Sequence, residues 1–363
     1  HERASRWFAD VGILPEAVNH AFMAGNFELV AQLIEENSLI YTTIFNAHLP
    51  SFMGWLEALP DSMRRSRPWL AVARAWVLTY SGELPAAELA IQELEQMISH
   101  KPSGGVIGGH LAAIKGYKLV MEGNIPGGAL WMEEALDSLP EQDTATRAFS
   151  AVVLGAAIGM KGDLSKGIEV LTDAVRQCRT ANKPLLTIII LGELAGLQII
   201  AGQLKEVIHT CDEALVQANE YARLCGLQPP NISFILARLA FVLREQNDLE
   251  AAIRYGQEAV NISRNWGQKD SMLISMIYLA LALHSAGKRA EVDKLLHRAK
   301  QTSRNLSDTA YAEVMAFEAK ICAYEADRAN VEKWMEESHL QRSDEFIFEH
   351  ARDHLMLVRA WIM

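Results

Sequence analysis

The chain has 363 residues, of which 50% are hydrophobic and 22% charged, and its formal net charge is −11. This acidic excess argues against direct binding of DNA or of an anionic membrane by this chain. Its four cysteines show neither a CxxC pair nor metal-ligand spacing, which predicts buried thiols in a reducing, cytoplasmic compartment. No signal peptide and no run of 18 uncharged apolar residues is present, so we expect a soluble chain with no membrane partner.

Residues 1–68 predict helices that follow no regular period. Apolar residues at helical spacing indicate a short amphipathic helix over 2–10, a pair of helices around Gly25-Asn26 and a further pair around residues 47–50. The segment 61–68 carries three arginines and ends in proline, and we interpret it as a solvated connector. This part of the chain is therefore predicted to be an N-terminal helical linker with partial repeats.

From residue 69 onward a short sequence motif recurs, which we call the phrase. It is first clear at Gly82-Glu83-Leu84, and its copies stand 39–45 residues apart. A period near 40 that holds over most of a chain indicates a solenoid. Gly or Asn at the first position suits the left-handed residue that ends a helix. The copies begin at Gly82, Gly123, Gly162, Gly202, Asn247, Gly287 and, in a degenerate form, Ala326.

Small residues recur in phase with this phrase and predict close helix crossings. Seven residues before it stand Ala75, Gly116, Gly155, Ala195, Ala240, Ala280 and Ala319. Five residues after it stand Ala87, Gly128, Gly167, Val207, Ala252, Val292 and Val331. The pattern resembles the tetratricopeptide repeat (TPR), with units about six residues longer than the usual period of about 34. We therefore expect an all-α fold, a right-handed superhelix of TPR-like antiparallel helix pairs, over residues 69–363.

The phrase also sets the expected helix boundaries. First helices are predicted near 69–81, 105–122, 143–161, 184–201, 229–246, 270–286 and 307–325. Second helices are predicted near 85–99, 126–139, 165–181, 205–224, 249–265, 289–304 and 328–339. The β-branched run 187–190 falls inside a first helix, so we interpret it as buried helix rather than strand.

The last residues resemble the start of another repeat. Leu357-Val358-Arg359-Ala360-Trp361 is similar to Val72-Ala73-Arg74-Ala75-Trp76 in the first repeat. The next phrase would then fall just beyond Met363. We therefore expect the chain to stop within a repeat and the natural protein to continue.

The opening of the chain resembles a known family. Ser5-Arg6-Trp7-Phe8, Gly12-Ile13-Leu14-Pro15 and Ala24-Gly25-Asn26-Phe27 are similar to the segment that follows the ATPase module in MalT-like regulators, and residues 55–60 and 67–82 continue the match. These regulators are large LuxR-family bacterial transcription activators. The resemblance implies an upstream ATP-binding module and a downstream helix-turn-helix that contacts DNA, both outside this chain. It assigns inducer sensing and self-association to this segment, with no cofactor of its own.

Motifs for catalysis or metal binding are weak. The glycine-rich stretch 101–109 lacks the Gly-Lys-Ser/Thr ending of a P-loop and follows no predicted strand, so we interpret it as a connector. His350 and His354 have helical spacing but no HExxH context. We expect neither enzyme activity nor a metal site.

The candidate binding residues come from the repeat register. In TPR proteins the first helix of each repeat lines the concave face. In this register aromatic side chains fill that face in the early and middle repeats, and Gly192 and Gly196 are expected to leave open space on it. An effector, either a small molecule or a peptide, is expected there because aromatic rings suit apolar ligand faces. The predicted residues are Trp69, Trp76, Tyr80, His110, Tyr117, Met121, Phe149, Phe234, Phe241 and Arg244.

Two functions remain open at this point. A closed aromatic pocket would favour an inducer-sensing segment, whereas a continuous polar groove would favour a protein-interaction scaffold without a small-molecule ligand.

Overall fold

The computed structural model describes residues 1–338 except 12, 45–48, 99–104, 227, 230, 267–268, 305, 307 and 326. Over these residues the chain forms nineteen α-helices and no strand, as predicted. The incomplete repeat predicted at the end of the chain and the histidines at 350 and 354 lie outside the described residues.

The helices follow one another with short connections. The N-terminal ones are α1 (Glu2–Asp10), α2 (Leu14–Met23), α3 (Phe27–Ile44), α4 (Leu49–Ala58) and α5 (Asp61–Ser66). The repeat pairs begin with α6 (Pro68–Tyr80) and α7 (Leu84–Ile98), α8 (Val106–Met121) and α9 (Ile125–Ser138), and α10 (Thr144–Met160) and α11 (Leu164–Thr180). They continue with α12 (Pro184–Ile200) and α13 (Leu204–Cys225), α14 (Ile232–Glu245) and α15 (Leu249–Trp266), α16 (Lys269–Ser285) and α17 (Arg289–Arg304), and α18 (Asp308–Tyr324) and α19 (Arg328–Ser338).

The recurring phrase ends each first helix through one backbone motif. Gly82 has φ +78°, and the amide of Glu83 reaches back to the carbonyl of Leu78 at 3.0 Å, a bond that satisfies a carbonyl at the helix end. In every repeat the amide of the residue after the phrase start donates to the carbonyl of the residue four positions before the phrase start. This bond joins Asn124 to Leu119, Asp163 to Ile158, Gln203 to Gln198, Asp248 to Leu243, Lys288 to Leu283 and Asp327 to Cys322. The repeat phase predicted from the phrase is therefore confirmed.

The small residues in phase with the phrase are buried at the helix crossings. Ala75 and Ala87 have no exposed surface, and neither have Ala240 and Ala252 four repeats later. At the crossing of α8 and α9, a Cβ added to Gly116 would lie 3.0 Å from the carbonyl oxygen of Gly128. The close antiparallel packing inferred from the small residues is thus present.

The chain divides into two compact units, residues 1–157 and 158–363. In the first unit the core of the N-terminal helices continues into the first repeat, because Phe52 and Trp55 of α4 belong to the same buried cluster as Leu70 and Val77 of α6. The predicted boundary at residue 68 therefore lies inside one packed core rather than at a break.

The structure corrects the interpretation of residues 61–68 as a solvated connector. Residues 61–66 form the short helix α5, and Arg67 turns back onto α3. Its Nε donates to Glu35 at 2.9 Å and its Nη2 to the other oxygen of Glu35 at 2.6 Å, while Nη1 pairs with Glu28. This two-pronged contact holds the start of α6 against the N-terminal helices.

The apolar first helix α12 confirms the interpretation of the β-branched run. Residues 187–190 lie inside it, and Ile188 and Ile190 are each only 1% exposed. Among the described residues no helix is long and apolar enough to cross a membrane.

Candidate functional site

The predicted site begins with a set of half-buried rings on three successive first helices of the first unit. We call Trp69, Tyr80, Tyr117 and Phe149 the aromatic face; they come from α6, α8 and α10. Tyr80 stacks on Tyr117 with ring centroids 5.7 Å apart, and Tyr117 meets the edge of Phe149 at 5.0 Å. The repeat register thus brings together side chains that are far apart in sequence, and each keeps part of its surface accessible.

Trp76 supports this face from beneath. It has no exposed surface, and its ring packs perpendicular to that of Phe149 with centroids 5.1 Å apart. Because no part of the indole reaches solvent, Trp76 in this conformation positions the rings above it instead of offering a contact surface itself. A buried aromatic pair of this geometry adds about 0.5–1.5 kcal/mol beyond its area of burial.

A chain of hydrogen bonds fixes His110 below the same face. The indole Nε1–H of Trp76 donates to Nδ1 of His110 at 3.3 Å, and an indole can only donate. Nε2 of His110 therefore carries the proton in the neutral ring and donates to Oδ2 of Asp143 at 2.7 Å. The edge of His110 also meets the ring of Trp69, with centroids 5.0 Å apart.

Asp143 closes this chain at the start of α10. Its Oδ1 accepts from the hydroxyl of Thr146 at 2.8 Å and from the backbone amide of the same residue at 3.2 Å. Burial alone would raise the pKa of Asp143, but the hydrogen bonds from His110 and Thr146 outweigh burial and hold the pKa below its ordinary value of 3.8. The carboxylate is thus kept charged, and it anchors the imidazole in one orientation.

Sequence reasoning identified His110 but missed Asp143 and Thr146. The available signal was local. An Asp followed three residues later by Thr is typical of the N-terminal cap of a helix, and Asp143 stands just before the first helix α10. What the sequence did not show is that this cap lies beside a histidine 33 residues earlier in the chain.

The other predicted residues are not part of the aromatic face. Met121 lies at the end of α8 and is 45% exposed. Phe241, in the second unit, packs against Tyr278 with centroids 5.0 Å apart. Arg244 donates through Nε to the hydroxyl of Ser285 at 3.0 Å, and its guanidinium lies 5.9 Å from the ring of Tyr324.

The interpretation of Gly192 and Gly196 as open space is wrong. Both lie on α12, and the side chain of Arg238 on α14 occupies the room that they leave. A Cβ added to Gly196 would stand 2.9 Å from Nη2 of Arg238, and one added to Gly192 would stand 3.3 Å from Nη1. Phe234, one turn before Arg238, has its ring 5.4 Å from the guanidinium. Sequence reasoning missed Arg238, although a charge at its repeat position was a visible signal.

Comparison of the sequence with known proteins places it in a family. The model described as "MalT-like TPR region" matches residues 109–363. The HTH-type transcriptional regulator MalT of Yersinia enterocolitica is 22% identical over 271 residues, which are 73% of this chain and 29% of that protein. The chain therefore spans less than a third of the length of this curated relative.

Solved structures share the fold. A Pyrococcus horikoshii STAND protein with a tetratricopeptide repeat sensor aligns with a TM-score of 0.62 at 13% identity, covering 98% of this chain and 54% of that one. NprR in complex with its cognate peptide NprX aligns with a TM-score of 0.58 at 13% identity, covering 97% of this chain and 98% of that one. With helix pairs in the predicted phase and a family match over most of its length, the chain belongs to the MalT-like TPR region family.

Proposed function

We propose that this chain is the inducer-sensing and self-association segment of a bacterial transcription activator of the MalT kind, and that a small effector or a peptide binds on the aromatic face. The relationship to a protein described as an HTH-type transcriptional regulator supports the regulatory role. The structural likeness to a protein described as having a tetratricopeptide repeat sensor supports the assignment of effector sensing to the repeats. In this proposal the segment acts in the cytoplasm, and ATP and DNA bind to domains outside the chain.

The observation that carries the proposal is the continuous contact from Tyr80 through Tyr117 to Phe149. Half-buried aromatic rings present flat apolar surfaces that match the faces of sugar rings or the side chains of a peptide. Trp76 and the His110–Asp143 bond beneath hold these rings in place, so little side-chain freedom is lost when a ligand docks.

An effector on this face would act by shifting an equilibrium. It can favour a self-associating form only if it binds that form more tightly than the resting form. The aromatic face spans three separate first helices, so a ligand bound across it would respond to any change in the packing of α6, α8 and α10. This links ligand recognition to the arrangement of the repeats.

A protein-interaction scaffold is the second candidate, and a specific observation favours it. NprR, whose fold this chain shares, is described in complex with a peptide. In this alternative the aromatic face holds a peptide segment of a partner and no small molecule takes its place.

A thermal-shift screen with sugars, aromatic acids, lipids and short peptides tests the proposal and separates the two candidates. A ligand at a hundred times its Kd stabilises the folded state by about 2.7 kcal/mol, which raises the melting temperature measurably. We expect a hit whose effect is lost in the double variant Tyr80→Ala, Tyr117→Ala. Tyr255→Ala, which changes a half-buried tyrosine on the second helix α15, serves as the matched control.

The chemical class of the hits distinguishes the two candidate functions. Hits among sugars or aromatic acids support the inducer sensor, whereas hits among peptides alone support the scaffold. If a hit stabilises the double variant as strongly as the wild type, the aromatic face is not the binding site and the proposal fails.

A further inference from the structure

Arg238 is a buried cation on the first helix α14 of the second unit. Only 8% of its surface is exposed. The guanidinium lies against the backbone of α12, where Gly192 and Gly196 lack the side chains that would displace it. The ring of Phe234 lies 5.4 Å from its central carbon. The charged group is therefore enclosed between two helices and an aromatic ring.

The hydrogen bonds of this guanidinium are incomplete. Nη2 donates to Oε2 of Glu193 on α12 at 3.3 Å, a long single-pronged contact. Nη1 is buried and has no hydrogen-bond partner within the part of the chain that the structure describes. Burying a cation is costly unless its N–H groups are satisfied, and a native structure that leaves one unsatisfied calls for an explanation. A guanidinium offers two parallel N–H groups to a carboxylate, and here only one is used.

Packing of the repeats does not require a charge at this position. Arg238 and Glu193 both stand nine residues before the phrase of their repeat. The equivalent positions in the other repeats are Ala73, Ile114, Val153, Tyr278 and Phe317. The two charges are thus specific to two consecutive repeats, where they face one another.

We propose that Arg238 binds the carboxylate of an acidic aromatic ligand, and that Glu193 occupies the guanidinium when the ligand is absent. The side chain of Glu193 is 37% exposed and can turn towards solvent, which leaves both Nη1 and Nη2 for a two-pronged pair with the incoming carboxylate. The neighbouring ring of Phe234 selects for an aromatic group on the ligand. The inference rests on the proposed function only in treating a first helix as a ligand surface, and it concerns a different unit from the aromatic face.

The test uses phenylacetate as the probe and phenylacetamide as its uncharged counterpart, in ligand-observed NMR titrations of the whole chain at constant ionic strength. We expect phenylacetate to bind at least about tenfold more tightly than phenylacetamide, since the charge-assisted pair is lost with the amide. Arg238→Gln should weaken phenylacetate binding by a similar factor. Glu193→Ala should strengthen it, because the internal competitor is gone.

Thermal denaturation of Glu193→Ala gives a second readout that does not depend on Arg238→Gln being folded. Removal of Glu193 leaves the cation without its carboxylate, so the melting temperature should fall and phenylacetate should restore it. Glu169→Ala, which changes an exposed carboxylate on α11, should show no such rescue.

Three results would overturn the proposal. Equal binding of phenylacetate and phenylacetamide, or no rescue of Glu193→Ala by phenylacetate, would mean that Arg238 serves only as a link between α12 and α14. The third is phenylacetate binding that is lost in the Tyr80→Ala, Tyr117→Ala variant and kept in Arg238→Gln. That result would support the aromatic face as the site and reject Arg238, so the two proposals fail separately.

Discussion

The backbones of Gly116 and Gly128 approach each other closely where α8 crosses α9. A Cβ added to Gly128 would lie 2.8 Å from the carbonyl oxygen of Gly116 and 2.5 Å from a methyl group of Val120. These distances leave no room for even a methyl group, so the position five residues after the phrase start, which holds alanine or valine in five other repeats, is here restricted to glycine. The crossing places α9 closely behind α8, the helix that carries His110 and Tyr117.

Gly128→Ala is therefore expected to destabilise the protein. The added methyl group forces two helix backbones apart, and overpacking of this kind costs about 1–3 kcal/mol. Urea denaturation measures the change. Gly108→Ala is the matched control, because a Cβ at Gly108 meets nothing within 4 Å and alanine favours the helix. Equal midpoints for the two variants would contradict the close crossing.

The helix-ending phrase makes a second stability prediction. Gly162 has φ +96°, a conformation that side-chain-bearing residues rarely adopt, so Gly162→Ala should destabilise by about 1–2 kcal/mol. Asn247 stands at the equivalent place with φ +64°, which asparagine tolerates, and Asn247→Gly should leave the stability nearly unchanged. Thermal melts of both variants check the contrast. If alanine at 162 is as harmless as glycine at 247, the left-handed helix end is not a determinant of the repeat.

The Asp143 carboxylate predicts a dependence of stability on pH. Its pKa in the folded chain lies below the ordinary value of 3.8, so the unfolded chain takes up the proton first as the pH falls. The stabilisation is present above pH 3.8 and is lost as the pH falls through the lower folded-state value. Asp143→Asn should cost about 1.5–3 kcal/mol at neutral pH and show a shallower acid loss than the wild type.

Denaturation at a series of acidic pH values measures this slope. Glu141→Gln, which changes an exposed carboxylate in the same connection, is the control and should follow the wild type. An unchanged acid slope in Asp143→Asn would mean that the bonds to His110 and Thr146 do not depress the pKa of this carboxylate.

The buried thiols predict resistance to alkylation. Burial raises the pKa of Cys211 to about 12 and that of Cys178 to about 11, and only a thiolate reacts. In the folded chain at neutral pH both should react with iodoacetamide at least about a hundredfold more slowly than in urea. Peptide mapping by mass spectrometry reports each site separately. Labelling of Cys211 at the denatured rate would show that its helix crossing opens readily.

Local chemistry explains why the helix boundaries could be read from the sequence. Six of the seven first helices end at a Gly or Asn, and the backbone bonds of these helix ends involve only residues within five positions, as in the bond from Glu83 to Leu78. Each crossing needs a small residue at a fixed distance from that end. Both requirements are met within one repeat, so a single sequence displays them once per period.

The candidate site was predictable only in part. The repeat phase predicted that Tyr80, Tyr117 and Phe149 lie on one face of neighbouring first helices, and in the structure Tyr80 contacts Tyr117 and Tyr117 contacts Phe149. Phase alone did not show that Trp76 is fully covered while Tyr117, at the same repeat position, is half-exposed. Trp76 packs against Phe149 and also donates to His110, and both of these residues come from other helices.

Tertiary structure alone decided the polar contacts. Asp143 reaches His110 across 33 residues and Arg238 reaches Glu193 across 45, and no local pattern specifies either pair. Gly192 and Gly196 were interpreted as open space because a missing side chain leaves room, but the sequence of α12 does not say what fills it. The space is filled from α14, because the long side chain of Arg238 extends over both glycines. Which helix lies beside α12 is fixed only when the repeats pack.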